Sequence, residues 1–348
     1  MAAHPGRITI ADVARAAGVS TATVSKVING RYGVAASTGA RVRDVIEELG
    51  YVSSLGARSL RSRRTGVLGI LVADFEPFST ELLKGASRAV HDTGYELLAY
   101  SVGRVAQETT GWERRSLSQL HGTLIDGAIL CTPTIEAVPA GLSVVAVDPH
   151  AGPTALPTVD SDNLGGAVLA TNHLLDLGHR RIAFIGGRDD LNSSRERERG
   201  YRAAMQRAGV GVEERLVRHG DYTTAAAAFA VAELFAAPDR PTAVFAANDL
   251  SALGVLQAAA EAGLSVPADV SVVGFDNIPE AVLAAPPLTT VEQPIQQMGE
   301  RALTMLIDLL AGAEVDEHIR LPTRLLVRDS CASPTPTDKP AMENQQHR

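Results

Sequence analysis

The chain is poor in the residues that announce several function classes. Its two cysteines, Cys131 and Cys331, stand far apart and without a C-x-x-C pair. That excludes a disulfide scaffold and the spacing of zinc or redox sites, and leaves buried free thiols as the expectation. Aromatic residues make up only 4% of the chain, so cores must be built from small aliphatic side chains. Plentiful Ala and Gly fit tight helix packing. The opening MAAHPGR has no apolar stretch before Arg7, which reads against a secretion signal. The longest apolar run, AAAAFAVAELFAA from Ala225 to Ala237, is broken by Glu233 and is too short to span a bilayer. A cytoplasmic protein without membrane contact is expected, and the sequon at Asn192-Ser193-Ser194 then carries no meaning. No G-x-S-x-G, P-loop, G-x-G-x-x-G or H-E-x-x-H motif is present. A carboxylate pair for glycoside hydrolysis is the one enzymatic alternative left open. No cofactor is expected.

The charge is unevenly spread. The chain carries -8 overall, yet residues 1–64 hold ten Lys/Arg against four acids, a net +6, and the remainder carries -14. A basic head on an acidic body suggests a polyanion bound at one end. A length of 348 residues suggests two or three domains.

Within the basic head stands TIADVARAAGVSTATVSKVING, residues 9–30. Thr9 can cap a helix whose apolar residues Ile10, Val13, Ala14 and Ala17 follow helical spacing, with Asp12 placed for a capping box. Gly18 should end that helix in a left-handed conformation. Ser20 should cap a second helix, with Val19 and Val24 as a hydrophobic staple. That helix buries Val24, Val27 and Ile28, and its other face shows Ala22, Ser25, Lys26 and Asn29, with Thr21 at the tip. Helix, glycine turn, helix is the helix-turn-helix layout, and a small polar outer face suits a helix entering a DNA major groove. The alternatives are a β-strand, which the absence of period-2 alternation disfavours, and a helical hairpin with no DNA role. A third helix presents Val42, Val45, Ile46 and Leu49 and ends at Gly50. Residues 53–64, SSLGARSLRSRR, read either as a short helix capped by Ser54 or as a solvated basic linker.

Together, the opening stretch, IEELGY and ARSLRSRRTGVLGILV resemble the lactose/galactose repressor (LacI/GalR) family of bacterial transcription regulators. The resemblance continues through DNLGGAVLATNHLLDLGHRRIAFIGG, RERERGYRAAM, PTAVFAANDLSALGVL, VPADVSVVGFDNIP and PPLTTVEQP, and covers about residues 7–330. It implies an all-α helix-turn-helix head plus an α/β core of two Rossmann-like lobes, of periplasmic-binding-protein type, joined by three crossovers. It implies a head over 1–52, a hinge helix or linker over 53–65 and a core over 66–330. The first lobe is expected at 66–160 and 290–321, and the second at 161–288 and 322–330. Residues 331–348, Pro/Thr-rich and without a leucine heptad, are expected to be disordered, which favours a dimer. The DNA-contact candidates are Thr9, Ser20, Thr21, Ala22, Thr23, Ser25, Lys26, Asn29, Ala57, Arg58 and Leu60, with Leu60 wedging into the minor groove. The partner is a near-palindromic double-stranded operator bound by a homodimer. The chain departs from the family at Ser53 and Ser54 (commonly Pro and Asn), at Ala35 (commonly Ser) and at Gly39, where an arginine is frequent.

From residue 66, strands alternate with helices, as in a parallel α/β sheet. Strands are predicted at 67–73, 95–101, 127–131, 143–147, 181–185, 242–246 and 270–274. Small molecules bind at the carboxyl ends of such strands. The residues found there are Asp74 and Phe75, Asp148, Asn248, and Asp276, with Arg197 on a helix and Gln293 after TTVE. Phe75, Phe78 or Tyr222 could cover a sugar ring, which makes a carbohydrate pocket. The resemblance places effector contacts at Arg197, Asn248, Asp276 and Gln293. The plainer readings are that Asp162 and Asp249 cap the helices that follow, that Arg197 pairs with Glu196 or Glu198, that Trp112 packs a helix, and that His179 belongs to a turn. The loop after the first strand, Phe75-Glu76-Pro77-Phe78-Ser79, departs from the family, so the effector is not transferable from better-known relatives. The expected function is a repressor of carbohydrate-use genes answering to a small mono- or oligosaccharide. A sugar-binding protein with no regulatory role and a regulator of a non-sugar metabolite are the alternatives.

Overall fold

The computed structural model describes residues 8–28, 32–51, 64–103, 111–138 and 141–334. Asn29, Ala57, Arg58 and Leu60 lie outside these, as do the proposed hinge helix and residues 335–348 of the tail. The chain divides into an N-terminal unit and a larger unit beginning at Gly66.

The first unit has three helices, α1 (Ile10–Ala17), α2 (Thr21–Ile28) and α3 (Ala36–Leu49). At the start of α1 the Thr9 N–H and hydroxyl both donate to the Asp12 carboxylate, at 2.9 and 2.6 Å. Gly18 (φ 64°) and Gly50 (φ 60°) adopt the left-handed conformation that ends α1 and α3, where a side chain would be strained. Ser20 accepts from the Thr23 N–H at 3.1 Å and so caps α2. Val13, Ala14, Ala17, Val24 and Val42 form the buried core, with Val19, Ile28 and Ile46 packed around it. Three short helices close a core with little bulk because only one stripe of each is apolar.

The second unit has two six-stranded sheets. The first lobe runs β1 (Val67–Val72), α4 (Pro77–Ala89), β2 (Glu96–Ser101), α5 (Trp112–Leu120), β3 (Gly127–Cys131), β4 (Ser143–Val147) and β5 (Thr158–Ser161). The second runs α6 (Asn163–Asp176), β6 (Ile182–Gly186), α7 (Asn192–Arg207), β7 (Val217–His219), α8 (Thr224–Ala236), β8 (Ala243–Ala246), α9 (Asp249–Glu261), β9 (Ser271–Asp276), α10 (Pro279–Leu283) and β10 (Thr289–Glu292). Then α11 (Ile295–Ala311) and β11 (His318–Leu321) return to the first lobe, and β12 (Arg324–Leu326) ends in the second. The sheet orders are β2-β1-β3-β4-β5-β11 and β7-β6-β8-β9-β10-β12. Every pairing is parallel except β10 with β12. The two lobes therefore share one doubly wound order, and each has its switch point beside its first strand.

The seven predicted strands are present with ends shifted by one or two residues. Five others, β5, β7, β10, β11 and β12, were not anticipated. They have three or four residues each, too short to show a period. One consequence is a correction to the lobe boundary. Residues 289–292 pair with β9 and belong to the second lobe, so the second crossover lies between Glu292 and Ile295. Residues 331–334 are also not free of the fold. The Ala332 N–H donates to Ser271, its carbonyl accepts from Ser271 Oγ, and Ser330 is fully buried. His179 is not a simple turn residue but a buried one, with its ring nitrogens 2.9 Å from Thr242 Oγ1 and 2.9 Å from the Ala332 carbonyl. Of the two cysteines, Cys131 is buried and Cys331 half-buried; both are free thiols.

The abundance of glycine has a packing cause in the core. A Cβ on Gly85 of α4 would stand 1.8 Å from the Gln296 carbonyl oxygen, and one on Gly299 of α11 would stand 2.1 Å from that of Leu82. These helices cross with their backbones almost touching. Gly39 is different. It is buried in α3, but an added Cβ would meet only the guanidinium tip of Arg43, at 3.7 Å. Gly39→Ala is therefore expected to stabilise the N-terminal unit by about 1 kcal/mol through helix propensity. A urea titration of the full chain followed by far-UV ellipticity checks this; an unchanged or lowered midpoint would contradict it.

Candidate functional site

Two sites can be built. On the first unit, α2 exposes Thr21, Ala22 and Lys26. Ser20 and Thr23 use their hydroxyls on each other, 3.0 Å apart, and Thr9 is spent on Asp12. Ser25 departs from expectation: it is buried beside Val24. At 100° per residue it lies next to the apolar seam rather than opposite it. The outward face is therefore narrower than the sequence suggested.

The second site is a cleft of about 440 Å³ at the carboxyl edges of the sheets. Asp74 enters it after β1, Asp148 after β4, Asn248 after β8, Asp276 from the end of β9 and Gln293 after β10; Phe78, Tyr222 and Arg197 also line it. Phe75 is half exposed and not among the lining residues. Its N–H instead closes onto the Asp74 carboxylate at 2.8 Å.

Arg197 organises the cleft floor. It is 3% exposed. Its Nε donates to Asn163 Oδ1 at 2.8 Å, and its Nη1 donates to the Ala247 carbonyl and, at 3.3 Å, to Asp276. Its guanidinium stacks 3.8 Å from the centre of the Phe275 ring. The surface pairing with Glu196 or Glu198 does not occur: Glu196 pairs with Arg199, and Glu198 with Arg202. Asp276 also accepts from Gln293 Nε2, whose own Oε1 accepts from the Ser161 hydroxyl. Burial pushes the Asp276 carboxyl up to about 6, against the pull of Arg197. Below it lies Asp249, fully buried, which accepts from the Ile278 N–H and the Thr290 hydroxyl. Burial and the nearby Asp276 hold Asp249 well above the usual carboxylate range. Asp249 thus does not cap α9. Asn248 does, accepting from the Ser251 N–H at 2.9 Å. Asp162 caps α6 through the Gly165 N–H, as its plainer reading held.

Several lining residues were missed. Trp112 lines the cleft rather than only packing its helix, and Glu76, Thr132, Ser193 and Asp221 line it too. Thr132 and Asp221 follow β3 and β7, so the strand-end rule would have found them had it been applied to every strand. Tyr222 Oη is buried with no hydrogen-bond partner among the described residues.

Comparison with known proteins places this architecture. Residues 9–54 match the model described as bacterial regulatory proteins, lacI family, and residues 171–331 match a periplasmic binding protein-like domain. The ribose operon repressor of Escherichia coli (strain K12) is 40% identical over 92% of this chain and 99% of its own length. The chain belongs to the lacI family of bacterial regulatory proteins. Among solved structures, a complex of the transcriptional regulator CelR with cellobiose is 36% identical, with a TM-score of 0.69 over 93% of this chain and 100% of that one. The lac repressor dimer bound to operator and the anti-inducer ONPF is 27% identical, with a TM-score of 0.81 over 93% and 99%. This lacI-family chain is a DNA-binding regulator and not an enzyme. Among the described residues, no helix is long and apolar enough to cross a membrane.

The raised Asp276 carboxyl generates a pH dependence in this lacI-family cleft. A ligand that donates hydroxyls to Asp276 favours its ionised form. Affinity is then full well above pH 6 and falls as pH drops through about that value. Calorimetry at pH 7.5 and 5.5 should find binding about fourfold weaker at the lower pH, and Asp276→Asn should remove that step.

Proposed function

We propose that the protein is a transcriptional repressor that binds a palindromic operator as a homodimer and releases or grips it in response to a small carbohydrate in the cleft. The observation that carries this reading is the pairing of two sites in one chain. A basic three-helix unit presents Thr21, Ala22 and Lys26 on an exposed helix face, and a two-lobed core gathers hydrogen-bonding side chains at its strand ends. The cellobiose complex and the operator-bound dimer among its relatives support the same assignment.

In this reading Thr21, Ala22 and Lys26 meet base edges, and Ser20, Thr23 and Thr9 hold the reading helix in place. Asn29 closes that helix, and Ala57, Arg58 and Leu60 form the minor-groove contact, with Leu60 as the wedge between base steps. In the cleft, Arg197, Asp276, Gln293, Asp148 and Asp74 take sugar hydroxyls, with Asn248 both capping its helix and facing the ligand. Phe78 and Tyr222, joined by Trp112, cover apolar ring faces. The protein acts in the bacterial cytoplasm, on the nucleoid. Ligand closes the lobes about the three crossovers and so alters the spacing of the paired DNA-binding units.

Selection of fragmented genomic DNA from the source organism by the purified full chain tests the proposal. The expected result is enrichment of one palindrome, with genes of carbohydrate use beside it, and loss of that enrichment in Lys26→Ala. Salt-sensitive binding with no preferred sequence would contradict it, because backbone charge contacts alone carry no sequence information.

A further inference from the structure

The charge around the cleft narrows the class of ligand that the proposed function leaves open. Five lining residues are acids: Asp74, Glu76, Asp148, Asp221 and Asp276. Two are arginines, and each is paired with a carboxylate of the protein, Arg197 with Asp276 and Arg188 with Asp190. Arg197 donates to Asn163, the Ala247 carbonyl and Asp276. Arg188 grips Asp190 in two-point fashion, Nε to Oδ1 at 3.0 Å and Nη2 to Oδ2 at 2.6 Å. The remaining basic side chain among the described lining residues, His150, is held below the usual histidine range by burial, against the pull of Asp190. Among the described lining residues, acidic side chains thus outnumber basic ones. Beside them stand Phe78, Trp112 and the buried, unpartnered Tyr222 Oη.

We infer that the effector is an uncharged, hydroxyl-rich saccharide, and that phosphorylated or carboxylated sugars are rejected by the carboxylates of the cleft. This rests on the reading of the cleft as the effector site. Neutral hydroxyls each offer a proton to a carboxylate and apolar C–H faces to the rings. A phosphate offers only acceptors and brings about two negative charges. It would stand among like charges in a partly desolvated cleft, where repulsion is weakly screened. Binding it well would require an arginine fork, and both forks present already hold acidic side chains. Glu76 carries much of the discrimination. It lines the cleft from the loop after β1, at the start of α4.

Matched pairs of probes test this by calorimetry on the full chain at pH 7.5: ribose and ribose 5-phosphate, glucose and glucose 6-phosphate, glucose and glucuronate, and cellobiose alone. The expected result is binding by one or more neutral sugars, with the anionic counterpart at least about a hundredfold weaker, equivalent to two steps of 1.4 kcal/mol. Glu76→Lys should raise affinity for the phosphate ester relative to its neutral partner about tenfold. A phosphate ester or uronate that binds as tightly as its neutral partner would overturn the inference and leave the cleft as the effector site. If no sugar of either charge binds, the cleft reading itself fails and the inference with it.

Discussion

A guanidinium that is 3% exposed constrains everything around it. Taking such a charge out of water costs several kcal/mol, and the cost is met only by acceptors placed on all sides. Arg197 finds them on three elements: Asn163 at the start of α6, Ala247 after β8, and Asp276 with the Phe275 ring at the end of β9. The same Asp276 then fixes Gln293, and Gln293 fixes Ser161. Ser161 and Gln293 stand at the first and second crossovers between lobes. The third crossover is tied to the first by the two-point pair of Arg320 with Asp160, at 3.0 and 2.9 Å, and by the Thr323 hydroxyl on the Asp162 carbonyl. One buried charge therefore joins the floor of the cleft to the first two crossovers, and the third is tied to the first by bonds of its own. Polar networks of this kind either stay fully satisfied or rearrange together, which suits an element with two discrete arrangements.

Much of this was legible in the sequence where local chemistry decides the outcome. The caps at Thr9 and Ser20 and the left-handed Gly18 and Gly50 follow from rules that act within one turn of chain. The strand-end acids are legible for a different reason: a parallel sheet delivers whatever follows its strands to one edge. What escaped was decided at longer range. β10 and β12 exist because they pair with each other and with β9, not because three or four residues prefer to be extended. Ser25 is buried because of its angular position beside Val24, which a count of polar residues does not resolve. Arg197 lies in a run of alternating charges, RERER, where surface pairs are the local expectation. Its neighbours Arg199 and Arg202 do form them. Only the placement of α7 against the sheet turns the middle arginine inward. The tail after Ser330 shows the same limit, since its composition reads as disordered but Ser271 and His179 capture Ala332.

The division of charge is the physical basis of the two roles. The head carries +6 and the rest of the chain -14. DNA, a polyanion, is attracted by the net charge of the head and repelled by that of the rest of the chain. The acidic cleft applies the same sign at a smaller scale to the ligand. Hydroxyl donors are welcome there and further negative charge is not.

The claim that a hydrogen-bond path from the cleft runs through the hinge is tested most directly by Ser161→Ala. This change removes one hydroxyl at the first crossover, at a residue that is neither among the cleft-lining residues nor on the DNA-reading helix, and frees the Oε1 of Gln293. Operator affinity is measured by titration with and without saturating effector, in the wild type and in the variant. The account predicts that Ser161→Ala binds effector within about threefold of the wild type, yet the factor by which effector changes operator affinity collapses toward one. If that factor were unchanged, coupling would not pass through Ser161 and Gln293, and the network would be a feature of stability alone.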